Sequence, residues 1–179
     1  MKSTLPVRGR TVAIAALAAV LIGVLLAVVD ADASTGGFSS VPPAKAAMNT
    51  DRRTVTAPAG APEEIVDAIA AANRITRMPY KWGGGHGDWT DTGYDCSGTV
   101  SYVLHAAGLL DSARDSTGLM SFGRRGKGRW ITVYAHGSHA YMTIAGLRFD
   151  TSGRGEEGPR WRLEPTSSRG YAARHPAGL

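Results

Sequence analysis

The chain is expected to fold as an α+β domain with a small antiparallel sheet, on three observations. Two segments carry apolar residues at helical spacing, and a lone cysteine opens the second. Two later segments alternate apolar and polar residues around Ala145-Gly146. Gly-rich stretches punctuate the chain between them.

Pro62 suits a helix start, and Glu63, Glu64 and Asp67 favour the positive end of the helix dipole. Ile65, Ile69, Ala72 and Ile75 share one face, which predicts an amphipathic helix over 62–77 closed by Pro79. Gly83-Gly84-Gly85 reads as a loop. It lacks the Lys-Ser/Thr of a phosphate cradle and suits a backbone lining a cleft. The second helix starts near Asp95, buries Val100, Val103, Leu104 and Ala107, and stops at Gly108. Residues 111–129, rich in Gly, Arg and Ser, read as loop, and 130–134 as a short strand. Residues 139–145 and 147–151 form a hairpin. With Ala145-Gly146 as its turn, Ile144 pairs with Leu147 and Met142 with Phe149. Residues 153–158 read as a polar loop and 161–163 as a further strand. Residues 171–179 show no period that would place them.

Upstream of the domain, Lys2, Arg8 and Arg10 precede an uncharged apolar run, and Ala31-Asp32-Ala33 has the small-x-small form of a signal peptidase site. Residues 1–33 therefore read as an export leader, either cleaved or kept as an anchor, with the remainder outside the cytoplasm in both cases. No cysteine follows the run, so a lipid anchor there is excluded. Residues 34–61 have few large apolar groups and read as a flexible linker. The folded domain is expected over 62–179, as a monomer, touching membrane only through an uncleaved leader. Net charge is +5, but the basic residues are scattered and not interleaved with aromatics, which argues against nucleic-acid binding.

Cys96 is the sole cysteine, so no internal disulfide forms, and an unpaired cysteine is unusual in an exported protein. It is a buried hydrophobe or a reactive thiol. Its place favours reactivity: Asp95 caps the helix, and the helix N-terminus stabilises a thiolate and offers N–H donors to an oxyanion. Gly98 permits close backbone approach. A thiol nucleophile needs a base. His105 lies half a circle round the same helix, which suits a solvated surface residue, and His175 sits in the tail. His136 and His139, taken on one strand, face opposite ways. The hairpin register sets His139, Tyr141, Thr143, Arg148 and Asp150 on one face, with Asp150 diagonal to His139. A carboxylate there can orient an imidazole. An exposed polar hairpin face accounts for the same pattern equally well.

Taken in order, Pro79-Tyr80-Lys81-Trp82-Gly83-Gly84, Tyr94-Asp95-Cys96-Ser97-Gly98, His139 and Asp150 resemble the NlpC family of papain-like cell-wall cysteine peptidases. The resemblance covers residues 62–151. It implies a papain-like fold with the nucleophile helix packed on a small antiparallel sheet, and Cys96 as nucleophile, His139 as base and Asp150 as orienting residue. It implies Tyr80 at the oxyanion region, with His86, Trp89 and Tyr94 as cleft residues or as local packing of the Gly-rich loop. The implied reaction hydrolyses amide bonds in peptidoglycan stem peptides, at the γ-D-glutamyl bond to a diamino acid, without metal or cofactor. Two departures stand out. An acid at the third position is less common than His, Asn or Gln, and Gly128-Arg129-Trp130-Ile131-Thr132 replaces the usual Pro-Gly-Asp-Leu. Rival readings keep the site but transfer the acyl group elsewhere, restrict it to small γ-glutamyl amides, or make the protein a silent wall-binding module.

Overall fold

Helix α1 (Glu63–Ile75) forms where the apolar period is cleanest. Pro62 precedes it, Glu63 and Glu64 occupy its first turn and Arg74 its last, each matching the helix dipole. Its Ile65, Ala68, Ile69, Ala72 and Ile75 are buried. Each buried isoleucine stabilises the domain by roughly 1.5–3 kcal/mol. The computed structural model describes residues 43–152, 158–163 and 167–179. These belong to one unit, Ser39–Leu179. The leader and the first part of the linker lie outside the described residues, as do 153–157 of the polar loop. No helix among the described residues is long and apolar enough to cross a membrane.

The fold is α+β with antiparallel sheets. Hairpin β1 (Ala47–Met48) and β2 (Val55–Thr56) precedes α1. Helices α2 (Cys96–Ala106) and α3 (Ser116–Leu119) follow it, then β3 (Arg124–Arg125), β4 (Ile131–His136), β5 (His139–Ile144), β6 (Leu147–Asp150), β7 (Arg160–Arg162) and β8 (Ala172–His175). The last six form one sheet in the order β3-β8-β4-β5-β6-β7. Ile144 pairs with Leu147 and Met142 with Phe149, the register that the alternation dictates. The turn residues Ala145 and Gly146 both take positive φ, 45° and 81°, as a tight hairpin turn requires.

Strand alternation gives the sheet two unlike faces. Ile131, Val133, Ala135, Ala140, Met142, Ile144, Phe149 and Trp161 join Val100, Val103 and Leu104 of α2 and the apolar side of α1 in one core. The other face carries Tyr134, Tyr141, Arg148 and Asp150. It is not the exposed polar surface that periodicity equally allowed: Tyr141 is 2% and Asp150 1% exposed.

Four segments differ from expectation. The flexible linker is structured over its described part. Ala46 and Val55 are buried, and Asn73 of α1 grips Val55 by both backbone groups at 2.9 and 2.8 Å. A polar side chain thereby anchors a segment too poor in apolar residues to fold alone. The loop 111–129 contains α3, capped by Asp115, and β3. The tail 171–179, unplaced by any period, supplies β8 between β3 and β4. His136 and His139 do not share a strand. Gly137-Ser138 forms a turn, so the two histidines pair directly across β4 and β5 and face the same way.

Candidate active site

Cys96 is the first residue of α2. Asp95 caps the helix, its Oδ1 accepting from Gly98 N at 2.7 Å and from Ser97 Oγ at 3.1 Å. Its Oδ2 accepts from Gly83 N at 3.1 Å, which ties the Gly-rich loop to the helix start. The loop lies so close that a Cβ on Gly98 would collide with Gly84 O. Gly98 N is thus taken by the cap and Thr99 N by the Asp95 carbonyl. Cys96 N and Ser97 N remain as helix-start donors to an oxyanion.

His139 opens β5, and it and the Ala140 N–H act on the Cys96 thiol from the start of that strand. The other side of the imidazole is held: Nε2 lies 3.0 Å from Asp150 Oδ1, which leaves Nδ1 for Cys96. Asp150 is fully enclosed and its acceptors are filled. Ser152 N donates to Oδ1 at 3.0 Å and Ser152 Oγ to Oδ2 at 2.8 Å. Arg148 Nη2 forms an ion pair with Oδ2.

The electrostatics of the trio are mutually supporting. Burial pushes the Cys96 thiol up, but hydrogen bonds from His139 and Ala140 N–H outweigh it and hold the thiol below its ordinary value. The Asp150 hydrogen bond, then the Cys96 hydrogen bond, raise His139 from 6.5 to about 9. Burial would raise the Asp150 carboxyl, but bonds from His139 and Ser152 and the Arg148 charge keep it low. All three shifts favour the same charged arrangement, a thiolate beside an imidazolium, backed by a carboxylate. Such a pair attacks a carbonyl and then supplies a proton to the leaving group.

Cys96, His139, Asp150 and the capping Asp95 thus come together. The expected cleft residues divide. Tyr80 is half-buried and pairs through its backbone with Tyr94. His86 joins the cap, its Nε2 3.1 Å from Asp95 Oδ1 and 3.2 Å from Ser97 Oγ. Trp89 stacks flat on His105 at 3.9 Å, on the side of α2 away from the thiol. His105 is consequently not a solvated residue, and its Nδ1 also bonds Leu110 O at 2.9 Å. Tyr94 is not a cleft residue. It is 2% exposed and its hydroxyl donates to Trp89 O at 2.7 Å. Its position next to Asp95 puts it under the Gly-rich loop, where Gly85 packs on its ring. Among the described residues no cluster of His, Cys, Asp and Glu is arranged to hold a metal ion.

Three site residues escaped the sequence reading. Tyr171 packs at 4.3 Å from the His136 ring, 5.1 Å from Tyr141 and 6.4 Å from His139, and nothing local signals its place. Ser152 follows Asp150 at the spacing of an Asx turn, a signal that was available. His136 needed the Gly137-Ser138 turn to be recognised. Compared with known proteins, the chain matches no family model and no curated protein sequence.

Proposed function

We propose that this protein is an exported cysteine peptidase of the NlpC type, with a papain-like catalytic domain, that hydrolyses amide bonds in peptidoglycan stem peptides. The observation that carries the reading is the His139–Asp150 hydrogen bond at 3.0 Å, with His139 acting on a Cys96 that opens a capped helix. The Cys96 thiolate attacks the amide carbonyl, and Cys96 N and Ser97 N face the developing oxyanion. The His139 imidazolium donates its Nδ1 proton to the departing amine, leaving a thioester on Cys96. Neutral His139 then takes a proton from water, whose oxygen attacks the thioester and releases the acid and the thiolate. Asp150 keeps the ring oriented and stabilises its charged form. The bond proposed, from the motif resemblance, joins D-glutamate through its γ-carboxyl to a diamino acid. Export rests on the leader over residues 1–33.

The test incubates residues 34–179, and the Cys96→Ala variant, with purified disaccharide-peptide muropeptides and reads products by mass spectrometry. Cleavage after D-glutamate by the parent alone is expected. An intact substrate with a readily alkylated Cys96 would transfer the reading to acyl transfer or another amide. An intact substrate with an inert Cys96 would leave a silent wall-binding protein.

A further inference from the structure

On the sheet face away from α2, a cavity of about 330 Å³ opens next to the site. Tyr134 and Tyr141 line it, stacked at 4.8 Å. Lys45, Lys127, Arg148 and Arg162 surround it, and no carboxylate is among the described residues that line it. Thr143 and Ser168 add hydroxyls.

Two features of the arginines call for an anion. Arg148 and Arg162 are direct cross-strand partners on β6 and β7, and like charges placed so are destabilising. The Nε atoms of both are buried without a hydrogen-bond partner. A buried guanidinium N–H left unmade is costly, so native structures rarely leave two side by side. The partners that are present use other atoms. Arg148 reaches Asp150 and Ser152 through Nη2, and Arg162 reaches the Ser152 carbonyl through Nη2. Arg148 also lies over the Tyr141 ring, 4.5 Å from its centroid, which fixes the plane it presents.

We infer that this cavity binds the oxyanion group, phosphate or carboxylate, of a small molecule, with Arg148 and Arg162 as its ligands and Lys45 and Lys127 at the rim. Planar guanidinium groups suit both anions, and the stacked tyrosines give an attached organic body an apolar floor. The inference stands on the cavity's own chemistry and is independent of the reaction proposed for Cys96.

The test measures thermal unfolding and calorimetric titration of the full chain with inorganic phosphate and, separately, succinate, with sodium chloride matching ionic strength. A saturable rise in Tm beyond the chloride control is expected for at least one anion. Phosphate alone assigns a phosphorylated ligand, and succinate alone a carboxylate ligand. Arg162→Met is expected to weaken binding about ten-fold or more, yet to be at least as stable as the parent without anion, because its repulsion with Arg148 is gone. Lys127→Gln, at an exposed rim position, is expected to weaken binding about two-fold or more without unfolding. No rise over chloride with either anion overturns the inference. So does parent-like binding by both variants.

Discussion

Asp150→Asn removes one charge; with the amide oxygen kept for His139, the amide nitrogen takes the place of Oδ2 and can no longer accept from Arg148 or Ser152. The Asp150 hydrogen bond is the largest cause of the rise in His139 from 6.5 to about 9. If Asp150 supplied all of it, the variant's imidazolium would lose about 2.5 pH units of stabilisation, or about 3 kcal/mol. Cys96 contributes the rest, so this is an upper bound. Little solvent screening applies, since the His139 and Asp150 side chains are 19% and 0% exposed. Two measurements separate this from a folding defect. Carbon-13 NMR of the imidazole should show His139 titrating well below about 9 in the variant. The acidic limb of Cys96 alkylation by iodoacetamide should move to higher pH, because the thiolate loses its cationic partner. The stability difference should also depend on pH with a definite sign. A raised histidine contributes stability that is complete below 6.5 and lost as pH rises through about 9. The gap between parent and variant should therefore narrow across that window. A His139 titration unchanged by Asp150→Asn, with the alkylation limb also unmoved, would refute the reasoning.

Four further outcomes are expected. Asp95→Asn retains a cap but removes the carboxylate whose charge raises Cys96, so the alkylation limb should move to lower pH with Tm changed little. Gly98→Ala drives a methyl into Gly84 O and should cost about 1–3 kcal/mol in urea unfolding as the loop is pushed off α2. Cys96→Ser should lower the His139 titration from about 9 but leave it above 6.5, since Asp150 is the larger cause, as NMR would show. Asn73→Ala breaks both bonds to Val55 and a 2.9 Å bond from Trp161 Nε1. It should cost about 1–3 kcal/mol and free the β1–β2 hairpin, read as faster amide exchange at Val55.

The parts of the site legible in the sequence are those fixed by local chemistry. The Asp95 cap and the position of Cys96 follow from a helix start, and the His139–Asp150 relation follows from a two-residue turn and a period of two. What stayed hidden depends on partners distant in sequence. Nothing in residues 171–175 alternates, because Ala172 and Ala173 are small on both faces, so the strand is defined only by β4 and β3 beside it. The hairpin before α1 is equally silent, since it is held by Asn73, whose polarity reads as surface. The sequence leaves Tyr94 open between cleft and local packing, because an aromatic near a nucleophile suits either. Its buried hydroxyl is satisfied by a carbonyl that only the folded loop delivers. The burial of the second sheet face, left open by alternation, is shared by Tyr134, Tyr141 and Tyr171, whose rings cover one another.

Strand β8 joins the sheet out of sequence order, and this has a consequence for how the domain assembles. Strands β4 to β7 can zip up as neighbours along the chain, but β4 then keeps an open edge until residues 172–174 dock, with Arg174 lying 174 − 133 = 41 positions beyond its partner Val133. An unpaired edge of that kind is a template for association between chains, and closing so long a loop is slow. The same docking brings Tyr171 against His136 and His139. The aromatic wall of the site is therefore completed late, and variants that weaken β8 should aggregate during refolding before they lose the hairpin that carries the base.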